Sequence, residues 1–317
     1  MKQPLRTARR SPRAGTDAAR TSVLTQGIHV LTRIWRDAPR TLWRTFVEYW
    51  DAIVVINLCL FVPSLIANAP TLTQTLVYAA LVGTTAFVLV RRLLPIVRDN
   101  LHFLRAQFGL RPARAADRYV RVLFDEYAES FEDHLMLDLR YAAPNLVFDI
   151  VSDRLGDKRL QIVDLGCGTG LCGPLFRPFT AEMVGVDLSP RMLQIADRKK
   201  CYDQLIESEI FDFLAAQDRV FDLCLAADVF VYFGHLEELF CAIANTLRSG
   251  GYLAFTVETT ERAGWVLQRN GRYAHSDEHV ENCARSTGLQ AVKRKTAVLR
   301  MQADRPVNGT VWLLRKP

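Results

Sequence analysis

Residues 117–317 predict an α/β fold, a doubly wound sheet of seven strands, and residues 1–116 predict an α-helical region ahead of it. Three observations carry this reading. Residues 163–170 pack the end of an apolar run, an acid and three alternating glycines into one strand-to-helix turn. Behind it, short apolar runs alternate with helical segments, and ahead of it two long stretches within residues 52–90 hold no charged side chain. Alternation of that kind builds a mainly parallel sheet covered on both faces, and ligands of such sheets collect at the carboxyl ends of the strands.

The chain has 317 residues, half of them hydrophobic, and a net charge of +6. This excludes a disordered protein and is too weak a balance to point to nucleic acid. Residues 1–50 carry ten cations against three acids, so the excess is local and the remainder is close to neutral. Among the seven cysteines there is no C-x-x-C pair, which implies a reducing compartment and no structural metal. The organisation expected is a basic tail and amphipathic helix (1–50), a transmembrane helical hairpin (51–91), a basic amphipathic connector (92–116) and the α/β domain (117–317).

Residues 1–20 are rich in arginine and small residues and read as a disordered basic tail, a targeting peptide or an orientation signal for a membrane. Val23, Leu24, Ile28, Leu31 and Trp35 then recur at helical spacing, suited to a membrane surface or a partner. Trp43, Phe46, Tyr49 and Trp50 resemble an interfacial aromatic belt. The uncharged stretches 52–69 and 71–90 are each about long enough, at roughly 1.5 Å per residue, to cross a hydrocarbon core about 30 Å thick. Asn57, Pro63 and several threonines would also suit two buried helices of a soluble domain. Arg40 and Arg44 before the hairpin and Arg91, Arg92 and Arg98 after it place both ends on the cytoplasmic or mitochondrial-matrix side of a bacterial inner or mitochondrial inner membrane. Residues 91–114 mix apolar positions with cations, as a helix along the headgroups or a connector packed on the next domain, and 111–116 read as a hinge.

In the α/β half, residues 119–141 read as an acidic helical pair. Residues 160–165 are expected to form a buried parallel strand with Asp164 near its carboxyl end, and Gly170 to open a helix. Strands follow at 183–186, ending at Asp187, at 205–206, leading to Glu209, at 221–227 and at 252–257. Ser189 caps a helix with Pro190 in its first position. A helix over 235–248 is stopped by Gly250 and Gly251, another covers 277–286, and 289–293 with 307–314 close the sheet as an antiparallel pair. Gly166, Gly168 and Gly170 let the backbone turn sharply and clear room for a ligand. Leu171 stands where a dinucleotide fingerprint wants its third glycine, so NAD is disfavoured.

The acid-x-Gly-x-Gly-x-Gly run from Asp164 to Gly170 resembles motif I of the class I S-adenosylmethionine-dependent methyltransferases, whose sheet is Rossmann-like. More narrowly, 123–131 (LFDEYAESF), 226–234 (AADVFVYFG) and 273–276 (YAHS) resemble predicted methyltransferases often fused to tetratricopeptide repeats, although no repeat is seen here. The resemblance spans about two-thirds of the chain. It implies S-adenosylmethionine as cofactor, with Gly166, Cys167, Gly168 and Gly170 as its cradle and Asp164 near the methionine ammonium. It further implies Asp187, with Leu188 beside it, at the ribose diol, Glu209 and Ile210 at the adenine, and Tyr127, one turn from Phe131, as a lid.

Methyl transfer needs alignment more than it needs acid–base chemistry, since the sulfonium is already an activated leaving group. A hydroxyl acceptor would also need a base, and Asp228, Tyr232 and His235 follow the fourth strand, with Glu258 and His275 behind them. The Asn-Pro-Pro-Tyr type of motif is absent there, which disfavours a nucleic-acid substrate. The expectation is a membrane-anchored methyltransferase acting on a small or lipid-like acceptor at the membrane surface. The alternative is an accessory or scaffold subunit of a membrane complex that keeps the cofactor pocket.

Overall fold

Apolar runs ending in an acid build the centre of the molecule. The computed structural model describes residues 97–133, 140–157, 159–218, 220–302 and 305–317, with single positions at 83, 86, 87, 90, 91 and 94. β1 (Leu160–Leu165) is buried from Ile162 onward and is flanked by β2 (Thr180–Asp187) and β4 (Phe221–Ala226), both parallel to it. Strands covered on both faces read as continuous apolar runs. β3 (Gln204–Glu207) extends one side, and β5 (Leu247–Thr259) pairs parallel with β4 on the other. β9 (Arg305–Arg315) runs antiparallel to β5, and β8 (Gln290–Gln302) antiparallel to β9. These seven strands are the expected set.

The described sheet nevertheless has nine strands. β6 (Trp265–Leu267) and β7 (Tyr273–His275) form a hairpin that joins the end of β5 through the pairs Glu258↔Ala274 and Thr259↔His275. At three residues each they are too short to show a period. Two helix boundaries also differ from expectation. α7 (Glu237–Thr246) stops before the glycine pair, because buried Leu247 already pairs with Phe221 and the glycines fall within β5 at a register shift. After the glycine loop only the single turn α4 (Gly173–Phe176) forms, tightening into a 3-10 turn that contains Pro178. α5 (Pro190–Arg198) is capped as expected, the Ser189 hydroxyl accepting the Met192 N–H at 3.1 Å. α6 (Ile210–Ala215), α8 (Asp277–Ser286) and α3 (Ala143–Leu155) complete the layers.

The connector is built into the domain. α1 (Leu101–Gln107) buries His102, Phe103 and Ala106, and α2 (Asp117–Tyr127) follows. Between them, the expected hinge is pinned: the Ala115 N–H donates to Tyr232 O at 2.8 Å, the Gly234 N–H to Ala113 O at 2.7 Å and the Tyr273 hydroxyl to Pro112 O at 2.7 Å. In the second half of the expected acidic helix pair, Ala128–Ser130 form a 3-10 turn and Phe131–Asp133 are helical, and residues 134–139 lie outside the described residues. The expected tail and the expected hairpin lie outside the described residues, apart from single positions. Among described residues no helix is long and apolar enough to cross a membrane.

Phe103 is fully buried in the main core with Tyr119, so Phe103→Ala is expected to cost about 3 to 5 kcal/mol in denaturant unfolding. A chain beginning at Arg98 should keep the native stability of the domain, and one beginning at Arg114 should lose it. Equal unfolding midpoints for the two would show that α1 is peripheral.

Candidate active site

A pocket of about 370 Å³ opens where β1, β2 and β4 end, a volume that suits a small-molecule site. The three glycines all take positive φ, 64° at Gly166, 55° at Gly168 and 82° at Gly170. At Gly166 an added Cβ would lie 2.6 Å from Val229 Cγ2, so the loop passes hard against the segment after β4. At Gly168 an added Cβ would meet only Phe131, at 4.0 Å, so bare backbone faces the open pocket there. Gly170 backs onto Tyr202 and Ala196.

Asp187 holds this loop from the end of β2. Its Oδ2 accepts the Gly168 N–H at 2.9 Å and its Oδ1 the Ser189 N–H at 2.8 Å. Asp164 is buried beneath and accepts the Tyr202 hydroxyl at 2.7 Å. Burial pushes the Asp164 carboxyl up to about 7, against the Tyr202 hydroxyl and with help from the Asp187 charge. Burial likewise pushes Asp187 up to about 6 against the N–H groups of Ser189 and Gly168. Two carboxyls driven toward neutrality in one pocket favour a cation between them.

Cys167 and Leu188 line the same wall. Tyr127 and Phe131 meet edge-on with ring centroids 5.4 Å apart, over Gly168. Ile210 and Glu209 line the far wall. Glu209 is not the solvated acid that an isolated surface carboxylate would be: its Oε2 caps α6 through the Phe211 N–H at 2.6 Å and the Asp212 N–H at 3.1 Å, and its Oε1 takes Arg114 Nη1 at 2.8 Å.

Of the residues expected at the acceptor, Asp228 and Tyr232 line the pocket. His235 does not. It is exposed beside His279, ring centroids 5.8 Å apart, because the chain turns away after Tyr232. Buried His275 secures that turn, its Nε2 bonding the carbonyls of Phe233 at 2.9 Å and Gly234 at 3.1 Å. Asp228 sits at φ 63° with its N–H on the Thr256 hydroxyl at 2.8 Å. Its Oδ1 accepts Arg272 Nη2 at 2.5 Å and Arg300 Nη1 at 3.4 Å. Behind them, buried Glu258 takes Arg272 Nε and Arg300 Nη2, both at 2.6 Å, and Gln268 Nε2 at 2.6 Å. Burial pushes the Glu258 carboxyl up, and the two guanidiniums more than reverse this, bringing it to about 2. Sequence reasoning missed both arginines and Tyr202. They stand 44, 72 and 38 positions from the residues they hold, and no local motif marks them.

Residues 163–255 match the family model described as a methyltransferase domain. Over these residues the chain is similar to S-adenosylmethionine-dependent methyltransferases. A probable S-adenosylmethionine-dependent methyltransferase of Saccharomyces cerevisiae is 29% identical over 47% of this chain and 58% of its own length. The mitochondrial ubiquinone biosynthesis O-methyltransferase of Mus musculus is 27% identical over 45% of this chain and 42% of its own. The chain thus spans about half the length of these curated relatives. The 1,6-didemethyltoxoflavin-N1-methyltransferase of Burkholderia thailandensis, a crystal structure with 1,6-didemethyltoxoflavin and S-adenosylhomocysteine bound, shares the fold. It superposes with a TM-score of 0.51 at 17% identity, over 65% of this chain and 92% of that one.

The raised carboxyls fix the sign of a pH effect. Both folded values lie above the ordinary 3.8, so ionising them costs the empty domain stability as pH rises through 6 and 7, and the cost is absent below about 3.8. A cationic ligand favours the ionised forms. S-adenosylmethionine affinity is therefore expected to rise between pH 5.5 and 8 with proton release, measured calorimetrically in buffers of different ionisation heat. Asp164→Asn should flatten the upper part of that rise.

Proposed function

We propose that this chain is a membrane-anchored S-adenosylmethionine-dependent methyltransferase acting on a small or lipid-like acceptor. The observation that carries the cofactor is the Asp187-clamped glycine loop, which leaves the Cβ position of Gly168 open to the pocket beside half-buried Asp187 and buried Asp164. The residues fit the group. Asp164 would sit by the methionine ammonium, Asp187 and Leu188 by the ribose, Ile210 against the adenine with Glu209 at its edge, and Tyr127 over the opening. When bound, S-adenosylmethionine supplies a methyl group on a sulfonium, so the protein's part is to align the acceptor and exclude water. Asp228 and Tyr232 face that acceptor.

Two features support the anchor. The uncharged stretches 52–69 and 71–90 have spanning length. Phe87, Val90, Leu94, Val97, Leu101 and Phe108 are all exposed, at helical spacing, and Arg91, Arg98 and Arg105 recur every seven residues beside them. An uncovered apolar stripe next to a column of arginines suits an anionic lipid surface. On this reading both ends of the chain face the cytoplasm or the mitochondrial matrix. The mouse relative's name, with its link to ubiquinone biosynthesis, supports a lipid-like acceptor.

Asp187→Ala should weaken S-adenosylmethionine binding by at least about 1.5 to 3 kcal/mol, the worth of one charge-assisted hydrogen bond, in a calorimetric titration; unchanged affinity would remove the ribose role. Gly168→Val should abolish binding while circular dichroism stays native, since the branched side chain enters the ligand's space. The full chain should remain in the membrane pellet after carbonate or high-salt washing, and release into the supernatant would remove the anchor.

A further inference from the structure

Part of the pocket has aromatic walls and a charged end. Phe124, Tyr141 and Tyr232 form the walls, and Arg272, Arg300 and Asp228 the end. Glu258 lies behind the arginines, so the layer that meets a ligand holds two cations and one anion. Each guanidinium has five N–H groups. Arg272 gives its bonds to Glu258, Asp228 and, at 3.3 Å, the Tyr232 hydroxyl; Arg300 gives one to Glu258 and a long one of 3.4 Å to Asp228. Each guanidinium thus has more N–H groups than partners, and both side chains line the pocket. The charged end also lies close to the cofactor loop, because Val229, next to Asp228, is the residue against which Gly166 is pressed.

Among the described residues, the same walls offer no ready proton acceptor. Asp228 is engaged by two guanidiniums, and burial first of all pushes the Tyr141 and Tyr232 hydroxyls up, keeping them donors. His235 and His275 lie elsewhere. A hydroxyl acceptor must shed its proton to a base; a carboxylate arrives without one.

We infer that the methyl acceptor is a carboxylic acid with an apolar body, seated by Arg272 and Arg300, and that the product is its methyl ester. This deepens the reading of the pocket as a methyl-transfer site and rests on it. An O–CH₃ bond forms at one carboxylate oxygen as the S–CH₃ bond breaks, and the electron pair of the broken bond stays on sulfur. The charges of carboxylate and sulfonium cancel, and no proton is released. The neutral ester loses its hold on the guanidiniums, which favours its departure.

The test uses the full chain in detergent, loaded with S-adenosylhomocysteine, titrated calorimetrically with decanoate and phenylacetate and with the matched amides. The acids should bind at least tenfold more tightly than their amides. Arg272→Gln and Arg300→Gln should bring the two within about twofold while S-adenosylhomocysteine affinity stays unchanged. Where a glutamine variant fails to fold, Arg272→Lys and Arg300→Lys keep a charge against Glu258 but lose the fork, and should likewise reduce the preference for acid. Methyl-labelled S-adenosylmethionine should then yield a base-labile product that releases labelled methanol. Acids binding no better than amides, arginine variants that keep the full preference, or label passing to decanol or decylamine instead would each overturn the inference. Failure of the native chain to bind S-adenosylhomocysteine at all would overturn the methyltransferase reading, and this one with it.

Discussion

The geometry of the site depends on one carboxylate. Asp187 spans two backbone N–H groups, one in the glycine loop after β1 and one at the start of the helix after β2. It stands there because the parallel register pairs Asp164 with Gly185 and Leu165 with Val186. The next step along β2 therefore faces the first glycine of the loop. That register is set by apolar packing, Val163, Leu165, Val184 and Val186 all being buried in one cluster. Core packing thus positions the carboxylate, the carboxylate shapes the loop, and the loop leaves room for a ligand at Gly168. Hydrogen bonds from backbone amides offset part of the cost of burying the charge.

A second constraint acts at the other end of the pocket. The lattice of Arg272, Arg300, Asp228 and Glu258 ties together β5, the β6–β7 hairpin, β8 and the turn after β4. Buried ion pairs add little net stability, since desolvation consumes most of their attraction. Removing one partner is nevertheless costly, because the other is left buried and unpaired. The lattice consequently fixes the relative orientation of four segments that are distant in sequence, and it makes this end of the pocket stiff.

The cofactor half was legible because its determinants are local. An apolar run, an acid and alternating glycines lie within eight consecutive residues, and Ser189 and Pro190 announce their helix without help from the rest of the chain. The charged end was not, since Arg272 and Arg300 acquire meaning only after a hairpin of two three-residue strands and a strand beyond it have folded back onto Asp228. His235 misled for the same reason. Its position after the fourth strand matched the expectation of an acceptor site, but the turn at Phe233 and Gly234, held by a histidine 42 and 41 positions away, sends it outward. The expected hinge failed because 112–115 finds its hydrogen-bond partners near Tyr232 and Tyr273, which no window on the sequence connects.

That seating of the N-terminal segment bears on how the chain is made. His102 rests on the carbonyl of Gly271 and Gln107 on that of Arg269, contacts separated by 169 and 162 positions. During synthesis Phe103 and its neighbours leave the ribosome long before the hairpin that receives them. Contacts of such long range close late, because the loop entropy must be met before they return any free energy. α1 is consequently among the last parts to dock fully: Tyr119 is at hand early, but for most of translation the hairpin that completes its seat has not been made. Until that hairpin emerges, the apolar side of α1 is held by local contacts alone, so completion of the domain waits on residues far along the chain.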